Sequence, residues 1–331
     1  MTRTFRLAVL ECDTPFPSVN ASRGSYGNIF RDLLLKGLDG LGEKGSDVSL
    51  DLSKWDVVTA QEYPNIDDVD GFLLTGSKFT AFHDDPWILK LVDFVSKVYT
   101  TTKKPIVGIC FGHQIIGRAL GANVGLSPGG WEICVDRINL NETGQKLLGV
   151  SSLGLHQMHR DAVLDVPKGL VSLGSSPRCE VQGLYEPGRI ISFQAHPEFD
   201  DFIMSEIMEA RYQQKIFDKD MYEEGITRAR AAHDGVLVSS KIWEFLLTTQ
   251  ISKVLGLGDP ATVALHVATL GTGTEKALAV SRKHALLNGS SGGVINALTQ
   301  GWHSCCSVTK SRCEAVATVA NSCSIAPVAV S

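Results

Sequence analysis

The chain has 331 residues, 44% of them hydrophobic and 20% charged, with a formal net charge of −5. That is enough for one large domain or two small ones around a buried core. The slight acidity gives no field that would gather phosphates, which argues against nucleic acid or an anionic membrane as partner and for a small-molecule substrate. In chain order, Phe5 to Glu11 reads as a first strand; the apolar run that begins at Met1 and holds Arg3 and Arg6 is too short for a signal-peptide core, so a cytoplasmic protein is expected. Tyr26, Ile29, Phe30, Leu33 and Leu34 repeat at helical spacing. A second strand is expected within Asp47 to Thr59 and a third at Val69 to Leu74, stopped by Thr75-Gly76-Ser77. Pro86 to Tyr99 has a helical period, with Asp84 or Asp85 as cap and Pro86 in the first turn. Pro105 to Ile109 is a short apolar strand, followed at once by a helix from Phe111 to Leu120.

This alternation predicts an α/β fold with a doubly wound, mostly parallel sheet and helices on both faces, because parallel strands need crossover helices. From Ala122 to Phe193 the pattern changes to short alternating strands such as Glu132 to Leu140, closing with an apolar strand at Arg189 to Gln194. Asp200 to Phe217 and Met221 to Leu247 read as two helices. The sheet domain is expected to span 1–250. Residues 251–331 form a low-charge tail rich in Ala, Gly and Ser, expected to be poorly ordered. No run approaches the roughly 18 apolar residues of a membrane span. The eight cysteines lack the short paired spacings of zinc ribbons and would be free thiols in a reducing compartment.

The sharpest local signal is Gly108-Ile109-Cys110-Phe111-Gly112-His113-Gln114, at the junction of an apolar strand and a helix. Such a turn needs small residues on both sides and holds the central side chain in the open, as in a nucleophile elbow. At a helix N-terminus, Cys110 would feel unpaired N–H groups and the positive end of the dipole, which favour thiolate. A lone G-x-C-x-G also suits a buried core cysteine, so a second signal is required. It lies in Ile190 to Glu198, where an apolar strand ends in His196-Pro197-Glu198. In extended backbone, positions i and i+2 share a side, and Pro197 keeps the segment out of helix. Glu198 could then accept the Nδ1–H of His196, while His196 takes the proton of the Cys110 thiol.

Together, the G-x-C-x-G-x-Q elbow and the later H-P-E resemble the class I glutamine amidotransferase family, over approximately Phe5 to Phe217. The resemblance is greatest to its small stand-alone members, related to GMP-synthase amidotransferase domains and to γ-glutamyl peptidases. It implies a catalytic set of Cys110, His196 and Glu198 and an oxyanion hole from the amides of Gly76 or Ser77 and of Phe111. It further implies substrate contacts from Gln114, with His159 and Asp161 in the segment His156 to Asp161. No cofactor and no metal is expected: His156 and His159 have an H-x-x-H spacing, but no third ligand is evident and a thiolate mechanism needs none.

The expected reaction is cleavage of the γ-amide of glutamine through a thioester. No G-x-x-x-x-G-K-[ST] loop or synthetase region is evident, so ammonia would pass to a separate accepting enzyme. A γ-glutamyl peptidase would use the same steps on a γ-glutamyl conjugate. A non-catalytic binding relative is a further alternative, disfavoured by the intact Cys, His and Glu, and cysteine-elbow peptidases or deglycase-like proteins of similar fold rank behind it because they would not require His-Pro-Glu at this strand end.

Overall fold

The computed structural model describes residues 3–254, and the tail expected over 251–331 falls almost wholly outside them. Alternation along the first strand, β1 (Arg3–Glu11), divides the interior in two. Phe5, Leu7 and Val9 point to one face of the sheet, Ala8 and Leu10 to the other. The rest of the first half comprises α1 (Pro17–Arg23), α2 (Tyr26–Gly40), α3 (Glu43–Ser46), β2 (Val48–Asp56), β3 (Gly71–Leu74), α4 (Pro86–Thr101), β4 (Ile106–Ile109) and α5 (Phe111–Ala119). There follow β5 (Val124–Leu126), β6 (Glu132–Leu140), α6 (Glu142–Leu148), β7 (Ser152–His159), β8 (Asp161–Val163), β9 (Val171–Ser172), β10 (Gly174–Ser175), β11 (Gly183–Glu186) and β12 (Ile190–Phe193). Helices α7 (Asp201–Gln213), α8 (Lys219–Arg228) and α9 (Gly235–Val254) complete the described chain.

The main sheet has the order β2-β1-β3-β4-β12-β11-β9. Strands β2, β1, β3, β4 and β12 pair in parallel, and β11 and β9 extend the sheet through antiparallel pairs. The fold is therefore the mostly parallel α/β sheet expected from the alternating elements. On one face, Phe30, Leu34 and Leu38 of α2 and Ile242, Trp243 and Leu246 of α9 cover β1. Trp243 meets Phe5 edge-on at 5.8 Å and donates its Nε1–H to Leu34 O at 2.7 Å, so its polar tip is satisfied within the core. On the other face, Ile88, Leu91 and Val95 of α4 and Ile115 and Ile116 of α5 fill the space.

A third apolar cluster joins Ile203, Met204, Ile207 and Met208 of α7 to Ile133 of β6. The segment between α5 and β12 folds as the antiparallel extension, with β10-β6-β7 and β5-β8 as separate small sheets. Two details differ from expectation. Pro17 to Arg23 is a helix that its polar sequence did not announce. The stretch from Met221 to Leu247 is two helices, because the chain between them is pinned to neighbouring strands. Arg228 at the end of α8 donates to Ile133 O and Val135 O, both at 2.9 Å. Asp234 exchanges bonds with Gly154, its carboxylate accepting from Gly154 N–H at 2.7 Å and its own N–H donating to Gly154 O at 2.8 Å. Among the described residues, no helix is long and apolar enough to cross a membrane.

Candidate active site

Strands β4 and β12 lie side by side in parallel, with Gly108 opposite Ser192 and Ile109 opposite Phe193. Whatever follows each strand therefore emerges at the same edge of the sheet, where open α/β folds place their sites. Cys110 follows β4; Gln194, His196 and Glu198 follow β12.

Cys110 has φ +51° and ψ −103°, an unfavourable conformation for a side-chain-bearing residue, and stands at the N-terminus of α5. The surroundings enforce it. Cys110 N–H donates to Phe193 O at 2.8 Å, and Gly112 N–H to Thr75 O at 3.2 Å, which ties the turn to the ends of β12 and β3. A Cβ at Gly108 would lie 2.5 Å from Ile116 Cδ1, and one at Gly112 2.5 Å from Leu74 O, so only glycine fits on either side of the turn.

His196 is fixed from three directions. Its N–H donates to His156 O at 2.8 Å, its ring stacks on Phe199 at 4.0 Å, and its Nδ1 bonds Glu198 Oε1 at 2.8 Å. That leaves Nε2 as the nitrogen free to face Cys110, which lies near enough to raise the imidazole's pKa. All three groups are buried, at 4% exposure for Cys110, 4% for His196 and 6% for Glu198. Burial alone would lower the imidazole's pKa, but the charges of Glu198 and Cys110 outweigh it and hold the ring well above its ordinary value.

The main-chain N–H groups of Gly76, Ser77 and Phe111 donate to no acceptor among the described residues. The Gly76 peptide is oriented by Thr75, whose Oγ1 accepts from Cys12 N–H at 2.9 Å and donates to Gly76 O at 3.0 Å. Phe111 opens α5, so its N–H has no intrahelical partner. Tyr26 stands in the same neighbourhood: burial raises its hydroxyl pKa first, and the charges of Asp13, Glu198 and Cys110 add to the rise. A cavity of about 250 Å³ is lined in part by Glu11, Asp13 and Asp56 and by Lys78 and Phe79, which follow Ser77 in the chain.

The remaining residues singled out from the sequence bond mainly to one another and to the fold. Gln114 is buried, and its Nε2 donates to Asp161 O at 2.8 Å and to Gln194 Oε1 at 3.1 Å. His159 is buried with both ring nitrogens occupied, Nδ1 by Asp161 O at 3.0 Å and Nε2 by Glu132 Oε2 at 2.9 Å. The Asp161 carboxyl is half-buried and raised in pKa, chiefly by burial. Glu132 went unremarked in the sequence. It is 2% exposed and also accepts from Ser176 Oγ at 2.5 Å and Gln182 Nε2 at 2.7 Å. Burial would raise its pKa, but hydrogen bonding to His159, Ser176 and Gln182 keeps it below the usual carboxylate value. It is brought to His159 by the antiparallel β6–β7 register, in which the two residues lie opposite each other.

The H-x-x-H pair cannot act together, since i and i+3 on a strand face opposite ways. Glu132, His159 and Cys179 do bring potential ligand atoms within 4.8 Å of one another. Those atoms already hydrogen-bond within the fold, His159 to Glu132 and Cys179 to Val181 O.

The chain belongs to the class I glutamine amidotransferase family, whose sequence profile matches residues 41–239. It is similar to a glutamine amidotransferase-like protein of Schizosaccharomyces pombe, 32% identical over 255 residues, covering 73% of this chain and 99% of that protein. It is also similar to gamma-glutamyl peptidase 3 of Arabidopsis thaliana, 29% identical over 252 residues, covering 72% of this chain and 94% of the peptidase. In fold it resembles the crystal structure of a glutamine amidotransferase from Thermotoga maritima, with a TM-score of 0.56 at 18% identity over 74% of this chain and 98% of that one.

Proposed function

We propose that this protein cleaves the γ-amide of glutamine, with Cys110 as nucleophile, His196 as its acid and base, and Glu198 as the carboxylate that orients and charges the imidazole. The observation that carries this reading is the buried grouping of sulfur, imidazole and carboxylate, with Glu198 Oε1 2.8 Å from His196 Nδ1 and Cys110 near enough to the same ring to raise its pKa. An imidazole placed so can take the thiol proton and stabilise the resulting thiolate as an ion pair. The thiolate attacks the γ-carbonyl, and the carbonyl oxygen gains negative charge facing the free amides of Phe111 and of Gly76 or Ser77. Collapse breaks the C–N bond. The imidazolium gives its proton to the departing nitrogen, which leaves as ammonia, and a thioester remains on Cys110. Water, deprotonated by His196, then attacks the thioester to release glutamate and restore the thiol. In this reading Gln114, His159 and Asp161 contribute to the substrate site from beneath, through the hydrogen bonds that shape its floor.

The ammonia is proposed to serve a separate biosynthetic enzyme. A second reading, hydrolysis of γ-glutamyl conjugates, is supported by the likeness to an Arabidopsis γ-glutamyl peptidase; the same steps release a peptide amine in place of ammonia. A cytosolic setting suits the free, buried cysteines Cys12, Cys110, Cys134 and Cys179 among the described residues. Incubation of the purified protein with glutamine and with a panel of γ-glutamyl peptides, followed by ammonia, amine and glutamate analysis, separates the two readings. Turnover that persists in Cys110→Ala would defeat both.

A further inference from the structure

We infer that Gln194 is a positioning residue for the reaction proposed above: its side-chain amide donates a hydrogen bond to the Cys110 sulfur, and Gln114 locks the amide in that orientation. The inference rests on Cys110 being the nucleophile. Gln194 is fully buried, and its Nε2 lies 3.5 Å from Cys110 Sγ, within hydrogen-bonding reach of sulfur.

Which end of the amide meets the sulfur is settled by a chain of donors that begins at a main-chain carbonyl. Asp161 O can only accept, so the Gln114 atom 2.8 Å away must be Nε2. That same nitrogen lies 3.1 Å from the Gln194 side chain, so the Gln194 atom facing it must be the acceptor, Oε1. Nε2 of Gln194 is then left to point at Cys110. The carbonyl at the head of this chain is itself held by His159, whose Nδ1–H it accepts at 3.0 Å while Glu132 holds the opposite nitrogen. Gln194 cannot swing away on its backbone, because its N–H donates to Gln182 O at 3.0 Å.

The sulfur therefore meets a fixed amide donor from the segment that carries the His196 imidazole, two residues before it in the chain. A neutral thiol gains little from a second donor. A thiolate gains a charge-assisted bond, so the amide favours the ionised sulfur and restrains its rotamer before substrate arrives. Donation moves no proton to carbon or nitrogen of the substrate, which is why the role is one of positioning.

The test is the pH profile of Cys110 alkylation by iodoacetamide, read by mass spectrometry of the Cys110 peptide, in wild type, Gln194→Met and Gln114→Met. The profile in Gln194→Met is expected to move to higher pH by about one unit, the size of one hydrogen bond to a charged group. Gln114→Met is expected to shift it in the same direction by less, since Gln194 keeps its amide but loses its lock. For glutamine, kcat should fall more than KM rises. The slow labelling of buried Cys12, Cys134 and Cys179 reports whether each variant stays folded. If Gln194→Met unfolds, the nearly isosteric Gln194→Glu takes its place, and there a carboxylate facing sulfur should move the profile upward by more. An unchanged profile in a folded position-194 variant overturns the inference. Because alkylation needs no turnover, a shifted profile alongside an active Cys110→Ala would instead sink the reaction assignment.

Discussion

The imidazole of His196 fills the space that any side chain at position 76 would need. A Cβ added to Gly76 would lie 2.6 Å from Cε1, 3.4 Å from Nδ1 and 3.6 Å from Nε2. The ring has little room to yield, because Glu198 holds Nδ1 and Phe199 backs its face. Gly76→Ala should therefore push the imidazole off Cys110. A displacement near 1 Å is expected to lower kcat/KM for the proposed substrate about 100-fold, with overpacking costing about 1–3 kcal/mol in denaturant unfolding. Steady-state kinetics at wild-type level would show that the ring can relax without consequence.

Glu198→Gln keeps the shape of the carboxylate and removes its charge. Of the influences on the imidazole, Glu198 is the leading one that raises its pKa against burial. The amide oxygen can still accept the Nδ1–H, so the ring keeps its orientation while the imidazolium loses its counter-charge. A charge-assisted bond of about 1.5–3 kcal/mol corresponds to a loss of about 10- to 150-fold in kcat/KM. The alkylation profile of Cys110 should shift upward as well, because a less basic imidazole stabilises thiolate less. Loss of turnover without any change in thiol reactivity would mean that Glu198 acts in some other way.

Much of the architecture could be read from local pattern, because it is encoded locally. The apolar run before Cys110 and the glycines around it announce a strand, a tight turn and a helix, and β4, Cys110 and α5 occupy those positions. Pro197 and the strand before His196 similarly marked where β12 ends. The contacts that remained hidden depend on register between distant segments. Gln194 meets Cys110 only because β12 pairs with β4 in one particular alignment, and Glu132 meets His159 only because β6 and β7 pair antiparallel at those residues. Neither alignment leaves a trace in the spacing of residues along one segment. The break between α8 and α9 was hidden for a related reason. Residues 227–232, Thr-Arg-Ala-Arg-Ala-Ala, suit a helix on propensity, and the bonds from Arg228 and Asp234 to β6 and β7 override it.

Glu132 is predicted to be a stability determinant of the whole extension. It accepts from His159, Ser176 and Gln182 in a buried site, and His159 in turn holds Asp161 O. Glu132→Ala would leave the His159 Nε2 without a partner, while Ser176 keeps Cys179 O and Gln182 keeps Ser176 Oγ. A buried polar group left without its hydrogen-bond partner costs about 1–3 kcal/mol. Urea unfolding should show that loss, and Glu132→Gln, which can still accept from one side, should lose less. A midpoint for Glu132→Ala equal to wild type would mean that water replaces the carboxylate at no cost.

His156 should make the protein sensitive to acid. Its carbonyl accepts from His196 N–H, but its ring is fully buried against His233 at 4.9 Å, with no hydrogen-bond partner for either nitrogen among the described residues. Burial first, then the charges of His233 and His196, push its pKa down to about 3. His113, buried beside Ser192, is likewise lowered to about 3. In both cases the folded state refuses a proton that the unfolded chain takes up below about pH 6.5. Their contribution to stability is thus complete above that value and is lost as pH falls toward 3, at about 1.4 kcal/mol per pH unit for each histidine within the window. His156→Leu removes one of them, together with two unpaired buried nitrogens. Its stability at pH 7 should stay within about 1.5 kcal/mol of wild type, while its decline between pH 6 and pH 4 becomes shallower by about 1.4 kcal/mol per pH unit. Urea titrations across that range compare the two slopes directly. Parallel slopes for wild type and variant would show that His156 accepts its proton in the folded protein, through an opening of the chain around β7 that leaves the rest of the sheet in place.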